Sequence, residues 1–357
     1  MPSRRLLVTG GAGFIGSCFT RRILARDLDA RVTVLDKLTY AGNRANLREV
    51  EGDPARARRL EFVHGDIADR DLVRELARGA DAIVNFAAET HVDRSILDPA
   101  GFLTTNVAGV HALLEAARAE TDRARRGERD VAPRLLQVST DEVYGSVEHG
   151  ESVESDALAP RSPYAAAKAA AELLAHSYQV TYGVDVVVTR GANTYGPYQH
   201  PEKLIPLFIT NAIDDLPLPM YGDGMQRRDW LFVDDHADAI AVVLERGKSG
   251  HAYNVAGAHQ TTNREVIAAL LAGLGKPWSL VRTVADRPGH DRRYAMSGEK
   301  LAELGSRPRV PFDEGIARTV AWYVENEAWW RSARSGDWNE YYARQYDARL
   351  ASSTAAD

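Results

Sequence analysis

Three adjacent polar residues, Thr140, Asp141 and Glu142, follow a short apolar segment at 135–138 that predicts a buried strand. In open α/β sheets, ligands bind at the edge formed by the carboxyl ends of the strands. A hydroxyl and two carboxylates at that edge supply a hydrogen-bond donor, a potential general acid and a potential general base. We therefore predict a catalytic centre that contains these three residues.

Tyr164 and Lys168 lie four residues apart in an alanine-rich segment, so a helix would project both from one face. A lysine ammonium beside a phenol favours the phenolate, which would make Tyr164 a usable base near neutral pH. Taken alone, each fragment is more typical of a surface acidic turn or an exposed tyrosine-lysine pair. The motif at the start of the chain favours catalysis instead.

The chain begins with an apolar segment at 6–9, a glycine turn, a helical pattern from Phe14, and a second apolar segment at 32–35 that ends at Asp36. The glycines let the backbone approach a pyrophosphate, and the helix N-terminus favours its negative charge. Asp36 can accept hydrogen bonds from an adenosine ribose and would repel a 2′-phosphate. This pattern predicts NAD, bound by Gly10, Gly13, Phe14, Ile15, Gly16 and Asp36.

Apolar segments at 60–63, 82–84 and 186–189 alternate with helical patterns, one of them from Thr105 to about Ala119. Such alternation predicts an α/β fold with a Rossmann-type doubly wound parallel sheet. Residues after the strand ends are expected along the cofactor: Asp66 and Ile67 near the adenine, and Phe86, Ala87 and Ala88 near its middle. The charged segment 121–133 is predicted to be a solvated loop.

The 357 residues, 45% of them hydrophobic, suffice for one large α/β unit or two lobes. We predict that residues 1–190 mainly form the NAD-binding domain and that 191–337 mainly form a smaller α/β substrate-binding lobe. The chain is expected to cross between the lobes. Residues 338–357 are predicted to be a polar C-terminal tail.

The net charge of -6 provides no basic field for nucleic acid. No apolar run is long enough to span a membrane, and no signal peptide is expected before the first strand. The single cysteine, Cys18, cannot form an internal disulfide; it is expected to be a packed thiol in a reducing compartment, the cytoplasm. Ten histidines lack metal-ligand spacing, so no metal site is predicted.

Seven further segments carry recognisable motifs: 36–43, 87–95, 138–145, 195–206, 221–224, 228–230 and 286–291. With the glycine spacing and the Tyr164–Lys168 pair, they resemble the dTDP-glucose 4,6-dehydratases of the extended short-chain dehydrogenase/reductase family, from about residue 4 to about residue 325. The Thr-Asp-Glu triplet is discriminating, because the similar sugar-nucleotide epimerases usually carry small or hydroxyl residues at 141 and 142.

The resemblance implies an NAD-dependent hydro-lyase that converts dTDP-glucose to dTDP-4-keto-6-deoxyglucose. Tyr164 would remove the C4 hydroxyl proton during hydride transfer, while Lys168 holds the ribose and Thr140 hydrogen-bonds the same hydroxyl. Glu142 would then remove the C5 proton, and protonated Asp141 would protonate the departing C6 hydroxyl. These roles require the pKa values of the two carboxyl groups to differ.

The resemblance also implies further binding residues. Additional cofactor contacts are Lys37, Leu38, Thr39, Thr105 and Thr194. The nucleotide-sugar site comprises Thr90, Thr140, Asn193, Lys203, Leu204, Pro219, Tyr221, Arg228, Asn263, Arg287 and His290. Of these, Arg228, Arg287 and His290 would hold the diphosphate and nearby oxygens, since guanidinium groups suit phosphate. His91 and His200 are expected to be structural, and Trp230, Trp329 and Trp330 to serve packing.

Two segments depart from the family pattern. Where members often have Cys-Ser-Asn-Asn, this chain has Gly191-Ala192-Asn193-Thr194. The second asparagine contacts the cofactor in the family, so tight retention of NAD does not follow from the resemblance at Thr194. The segment 225–227 could alter the fit around the nucleotide.

Two other functions remain open: a 4-epimerase or decarboxylase of the same fold acting on a UDP-sugar, and a non-catalytic protein that binds NAD or a nucleotide sugar. A homodimer through a four-helix bundle is also predicted, because two helices carry apolar or small residues on one face. These are Val107, Val110, Leu113, Leu114 and Ala117 on the first and Ala169, Ala170, Leu173, Leu174 and Tyr178 on the second. The alternative is that both faces pack on their own sheet.

Overall fold

The computed structural model describes residues 4–257, 259–286, 290–334 and 336–355. Its strands are β1 (Arg5–Thr9), β2 (Arg31–Asp36), β3 (Leu60–His64), β4 (Ala82–Asn85), β5 (Arg134–Thr140), β6 (Asp185–Gly191), β7 (Asn193–Tyr195), β8 (Leu218–Tyr221), β9 (Arg227–Phe232), β10 (Ala252–Val255), β11 (His259–Thr262), β12 (Val281–Val284) and β13 (Thr354–Ala355).

Its α-helices are α1 (Phe14–Arg26), α2 (Arg48–Glu51), α3 (Pro54–Ala57), α4 (Arg70–Ala77), α5 (Val92–Leu97), α6 (Ala100–Leu103), α7 (Val110–Arg125), α8 (Pro163–Tyr182), α9 (Leu204–Ile213), α10 (Val233–Arg246), α11 (Asn263–Leu274), α12 (Glu299–Glu303), α13 (Phe312–Glu325), α14 (Glu327–Ala333), α15 (Asp337–Tyr342) and α16 (Ala348–Ala351).

A parallel sheet forms the centre of the fold, with the strand order β10-β6-β5-β4-β1-β2-β3 in the described chain. The order reverses between β1 and β4, which defines the switch point where open α/β sheets bind ligands. The predicted doubly wound sheet is therefore confirmed. Its edge strand β10 comes from the later part of the chain, so the chain returns to this sheet after building part of the second lobe.

The turn between β1 and α1 depends on glycine. Gly10 has a φ of +69°, and a Cβ at this position would lie 2.5 Å from the backbone nitrogen of Ala87. A residue with a side chain would be both strained and obstructed there. The turn brings the N-terminus of α1 to the carboxyl edge of the sheet, as the sequence predicts.

The helical region predicted from Thr105 to about Ala119 is longer in the structure. Helix α6, a π-helical turn (Thr104–Gly109) and α7 follow one another without a gap. An i,i+3 ion pair between Glu120 and Arg123, 3.1 Å long, supports the last turns of α7. The prediction of a loop from 121 was therefore wrong for the first part of that segment, which is helical.

Apolar residues cover both faces of the central sheet. Helices α1 and α10 pack on one face, and α7 and α8 supply much of the other. Four residues predicted at a dimer interface, Val110, Leu113, Leu114 and Ala117, are buried in this second core. Their assignment to an interface was wrong, because they pack on their own sheet. On α8, Ala169 and Tyr178 are also buried, whereas Leu173 is 62% exposed.

The second lobe contains the sheets β11-β9-β7 and β13-β12-β8, with α9, α11 and α13 to α16 around a separate core. Trp330 is fully buried in that core, which confirms its predicted packing role. The segment predicted to be a polar tail is folded as α15, a π-helical turn (Ala343–Asp347) and α16. Trp338 and Tyr346 join the lobe's core, since Trp338, Tyr342 and Tyr346 recur every four residues on one helix face.

No helix in the described residues is long and apolar enough to cross a membrane. Cys18 lies in α1 and is 2% exposed. Burial raises the pKa of its thiol to about 12, so the thiol is packed and unreactive, as the sequence predicts.

Candidate active site

A cavity of about 410 Å³ lies along the carboxyl edge of the central sheet and reaches into the second lobe. Its wall contains nearly all of the predicted site residues: Gly10, Gly13, Phe14, Ile15, Gly16, Asp36, Lys37, Thr39, Asp66, Ile67, Phe86, Ala87, Ala88, Thr90, Thr105, Thr140, Asp141, Glu142, Tyr164, Lys168, Asn193, Thr194, Lys203, Leu204, Pro219, Tyr221, Arg228, Asn263 and His290. Leu38 is not among the lining residues. Arg287 lies outside the described residues.

At one end of the cavity, Asp36 is 7% exposed and its carboxylate is held by the backbone. The amides of Ala12 and Leu38 each donate to one of its oxygens at 2.8 Å. Burial raises the pKa of Asp36, and these hydrogen bonds oppose the rise. Lys37 and Asp66 form an ion pair of 2.6 Å beside it.

This end fits NAD in both shape and chemistry. The glycine turn leaves room for a pyrophosphate at the N-terminus of α1. The fixed carboxylate of Asp36 offers lone pairs for ribose hydroxyls, and Ile67 and Phe86 provide apolar surface nearby.

Strand β5 ends at Thr140, which caps the 3₁₀ turn Asp141–Tyr144. The Thr140 hydroxyl donates to Asp141 Oδ1 at 3.1 Å and accepts from the Glu142 amide at 3.3 Å. Asp141 is 4% exposed, and its Oδ2 has no hydrogen-bond partner in the described structure. Burial, followed by the charge of Glu142, raises the pKa of Asp141 well above its usual range, which favours a protonated acid.

Helix α8 begins at Pro163, where the Ser162 hydroxyl accepts from the Ala165 amide, and it carries Tyr164 and Lys168 into the cavity. Lys168 Nζ donates to the Val138 carbonyl at 2.5 Å, and burial lowers the pKa of Lys168 to about 8. The expected lowering of the Tyr164 pKa is not found. Burial and the Glu142 charge raise it, although hydrogen bonds with Thr140 and Thr90 partly oppose the rise.

Basic groups gather at the second-lobe end of the cavity. Arg228 is 5% exposed and donates to the Asp291 carbonyl at 2.9 Å. His290 Nδ1 lies 2.6 Å from Asp286 Oδ1, and Lys203 donates to the Thr90 hydroxyl at 3.3 Å. The arginine and lysine side chains among them suit a diphosphate.

Several lining residues were missed by the sequence reasoning, among them Asp93, Gly191, His236 and Tyr346. The Thr194 hydroxyl lies 2.8 Å from His236 Nδ1, while His236 Nε2 is buried without a partner in the described structure. A Cβ on Gly191 would lie 2.7 Å from Nε2, so glycine makes room for this ring. His236 follows the end of β9 by four residues, a signal that could have identified it.

His91, His200 and Trp230, predicted to be structural or packing residues, also reach the cavity wall. His91 Nδ1 contacts the Tyr341 hydroxyl at 3.3 Å, and Trp230 belongs to the second-lobe core. Within the described residues, no group of three or more histidine, cysteine or acidic side chains could hold a metal ion.

The parallel sheet, the glycine turn and the tyrosine-lysine pair at its carboxyl edge define a site of the short-chain dehydrogenase/reductase type. The family model described as GDP-mannose 4,6 dehydratase matches residues 7–319. The chain is 51% identical over 338 residues to the dTDP-glucose 4,6-dehydratase of Streptomyces niveus, covering 93% of this chain and 96% of that protein. The chain belongs to the dTDP-glucose 4,6-dehydratase family.

Solved structures show the same relationship. DesIV, a dTDP-glucose 4,6-dehydratase from Streptomyces venezuelae crystallised with NAD, is 53% identical with a TM-score of 0.86, covering 92% of this chain and 99% of that one. The UDP-glucose 4-epimerase of Thermus thermophilus in complex with NAD is 34% identical with a TM-score of 0.79, covering 90% and 99%. The fold is thus shared with an epimerase.

Proposed function

We propose that the chain converts dTDP-glucose to dTDP-4-keto-6-deoxyglucose and water as an NAD-dependent hydro-lyase. The observation that carries the proposal is the adjacent pair Asp141 and Glu142 in the cavity beside Thr140 and Tyr164. Removal of water across C5 and C6 needs an acid and a base at once. The raised pKa of Asp141 supports its role as the acid.

The cofactor is NAD, which would supply the hydride acceptor for C4 of the sugar and, later, the hydride for C6. In the first half of the reaction, Tyr164 takes the proton of the C4 hydroxyl, and Thr140 holds that hydroxyl in place. Lys168 would hold the cofactor ribose, and its positive charge supports loss of the Tyr164 proton. The result is a C4 ketone, which acidifies the proton on C5.

In the second half, Glu142 removes the C5 proton, and Asp141 gives its proton to the C6 hydroxyl, which leaves as water. A double bond then joins C5 and C6. Return of the proton from Glu142 to C5, with the hydride that NAD would supply at C6, completes the 4-keto-6-deoxy product. The hydrogen bond from Thr140 to Asp141 Oδ1 leaves the partnerless Oδ2 able to carry the proton toward the leaving group.

The binding roles remain as the sequence predicts them. NAD would contact the glycine turn and the residues from Asp36 to Thr39, Asp66, Ile67, 86–88, Thr105 and Thr194. The nucleotide sugar would contact Thr90, Asn193, Lys203, Leu204, Pro219, Tyr221, Arg228, Asn263, Arg287 and His290. Residues 1–190 would mainly hold NAD and 191–337 mainly the nucleotide sugar, although α10 and β10 pack with the first part.

The test is to incubate the purified protein with dTDP-glucose and treat the mixture with alkali. A 4-keto-6-deoxy product develops ultraviolet absorbance, whereas a 4-epimerase or a non-catalytic binder produces none. Mass spectrometry of the nucleotide sugar should show the loss of one water. An unchanged mass with inversion at C4 would support the epimerase alternative.

We also propose a homodimer formed by a four-helix bundle. The apolar residues available for it are Leu103 on α6 and Leu173 and Val180 on α8, which are 59%, 62% and 66% exposed. Leu173 and Val180 are seven residues apart and share a helix face, so a two-fold axis could pair them with their copies. Light scattering should give a dimer for the wild type and for Val131→Glu, a loop control, but a monomer for Leu173→Glu.

The proposed location is the cytoplasm, as the composition predicts. The single cysteine supports this proposal, since proteins of oxidising compartments often depend on disulfides. Fractionation of the producing cells would test it.

A further inference from the structure

Trp329, which the sequence predicts to serve packing, also makes a specific contact between the two lobes. It lies in α14 of the second lobe, and its Nε1 donates to Asn46 Oδ1 at 2.9 Å. Asn46 is 1% exposed and lies in a 3₁₀ turn (Arg44–Leu47) that follows β2 of the central sheet. A donor of the second lobe is therefore paired with a buried amide beside the NAD site.

Asn46 connects this contact to the glycine turn. Its Nδ2 donates to the Ala12 carbonyl at 2.9 Å, and the Asn43 amide donates to the same oxygen at 3.0 Å. The Ala12 amide in turn donates to Asp36 Oδ2 at 2.8 Å. The backbone that leads into α1 is thus held on both sides of Ala12. The first amides of α1, which have no acceptor within the helix and suit a pyrophosphate, are positioned with it.

The surroundings of Trp329 are aromatic and constrained. Its ring lies 5.1 Å from that of Trp322 and 5.8 Å from that of Tyr198, edge to face with both. Tyr198 has a φ of +70°, which a residue with a side chain adopts only where its surroundings require it. The Arg21 guanidinium of α1 lies 4.3 Å from the Tyr198 ring centre, and Arg21 also donates to the Asn46 carbonyl at 2.7 Å. These contacts fix how α14 meets α1 and Asn46.

A second cavity, of about 270 Å³, lies beside this contact. Its wall contains Trp329, Tyr198 and the loop residues 40–43, of which Ala41 and Gly42 also line the cavity of the candidate active site. Side chains that face a cavity lose packing contacts. Hydrogen bonds such as the one from Trp329 therefore contribute more to the position of the adjacent backbone than they would inside a packed core.

We propose that Trp329 is a positioning residue for NAD. Through Asn46, it holds the glycine turn in the conformation that binds the pyrophosphate, so the second lobe slows release of the cofactor. In the described part of the chain, neither Trp329 nor Asn46 lines the active-site cavity, and the effect is exerted through the Ala12 backbone. The inference goes beyond the proposed function, because it requires only that NAD binds at the glycine turn, whatever reaction follows.

The test compares release of NADH, displaced by excess NAD and followed by fluorescence, from full-length wild type, Trp329→Phe, Asn46→Ala and the double variant. Trp329→Phe keeps an aromatic ring beside Tyr198 and Trp322 but removes the N–H donor. We expect release to be about 2–10-fold faster, the scale of one net hydrogen bond. Asn46→Ala also removes the bond to Ala12, so its effect should be larger, about 5–50-fold. In the Asn46→Ala background, Trp329→Phe should add nothing, because both substitutions break the same connection.

Trp330→Phe is the matched control. Trp330 is the next residue of α14, and its Nε1 donates to the Tyr323 carbonyl at 2.9 Å. The same substitution therefore removes a similar hydrogen bond that stays within the second lobe. Thermal melting of each variant shows how far the fold is destabilised. We expect Trp330→Phe to lower the melting temperature but to release NADH at the wild-type rate. With saturating NAD, kcat and KM for dTDP-glucose should stay close to wild type in Trp329→Phe.

Three results would overturn the inference. The first is a wild-type rate of NADH release from Trp329→Phe. The second is an equal acceleration in Trp330→Phe, because the effect would then follow from lost stability alone. The third is additive effects in the double variant, which would mean that Trp329 and Asn46 act separately. A protein that retains NAD but forms no product from dTDP-glucose would contradict the proposed function and not this inference.

Discussion

The two ends of the cavity are built in different ways. At the cofactor end, the glycine turn and Asp36 come from one continuous strand-turn-helix-strand unit, and each group has a distinct task. At the nucleotide-sugar end, the wall is assembled from β8, β9, α9, α11 and residues 337–351. At the cofactor end, we therefore expect a single substitution to remove one complete binding role. At the nucleotide-sugar end, many contacts share the binding energy, so we expect a single substitution to remove only part of it.

The largest effects are expected where the two ends meet. Asp141→Asn and Glu142→Gln should each reduce turnover by about 10²–10⁴-fold, the range for loss of a general acid or base. Oxidation at C4 should remain possible, so enzyme-bound NADH should accumulate in single-turnover absorbance. Wild-type turnover would contradict the assignment, and a defect in KM alone would make these residues binding groups.

The cofactor end is tested at Asp36. Loss of hydrogen bonds to a charged group in Asp36→Ala should weaken NAD binding about 10–100-fold. The same substitution should also reduce the preference for NAD over NADP, because a carboxylate no longer repels the 2′-phosphate. Mass spectrometry of cofactor extracted from the wild type should identify NAD. Recovery of mainly NADP would contradict the role of Asp36.

The pH dependence of turnover distinguishes the base Tyr164 from the acid Asp141, which lie where the two ends of the cavity meet. Tyr164 must be ionised to accept a proton, and its pKa is raised, so C4 oxidation should accelerate as pH increases. Asp141 must be protonated, and its raised pKa favours the protonated acid, so dehydration should fall as pH rises through that pKa. A bell-shaped profile of kcat is expected. A profile that is flat from neutral to alkaline pH would contradict both assignments.

The smallest effect is expected at Thr194, where the cofactor end departs from its family pattern. Thr194→Asn supplies an amide and should slow NAD release about 2–10-fold, the scale of one net hydrogen bond. Gly191→Ala should act in the opposite direction, because a Cβ at 191 would lie 2.7 Å from His236 Nε2 and displace the ring that contacts Thr194. Fluorescence of NADH released into a chase of NAD would measure both variants. NAD release rates equal to that of the wild type in both variants would contradict a contact between residue 194 and NAD.

The same contrast explains what the sequence could predict. The sheet, the glycine turn and Asp36 were predictable because strand ends and turn residues are local signals. No local signal of this kind predicted the place of Tyr346. Its position in the cavity depends on how residues 337–351 pack against the second lobe. Only the four-residue spacing of Trp338, Tyr342 and Tyr346 marked that segment as a packed helix.

The burial of individual side chains is the second property that could not be predicted from the sequence. The Tyr164–Lys168 spacing predicted a shared helix face correctly, but the pKa of the phenol depends on desolvation and on the nearby Glu142 charge. Likewise, the sequence predicted that α7 has an apolar face, but it did not predict which surface covers that face. The chain's own sheet covers Leu113 and Leu114, and the exposed apolar residues that we propose for the dimer lie on α6 and α8 instead.

The position of β10 at the edge of the central sheet has a consequence for biosynthesis. β10 pairs with β6, and α10 packs on α1, yet both follow β7 to β9 in the chain. A nascent chain released as far as residue 190 has six of the sheet's strands but not the helix that covers α1. At about 5–20 residues per second, the ribosome needs several more seconds to supply them. During that interval the part of this sheet face that α10 covers stays open, so the nascent protein is exposed to aggregation and to chaperones until residue 255 emerges.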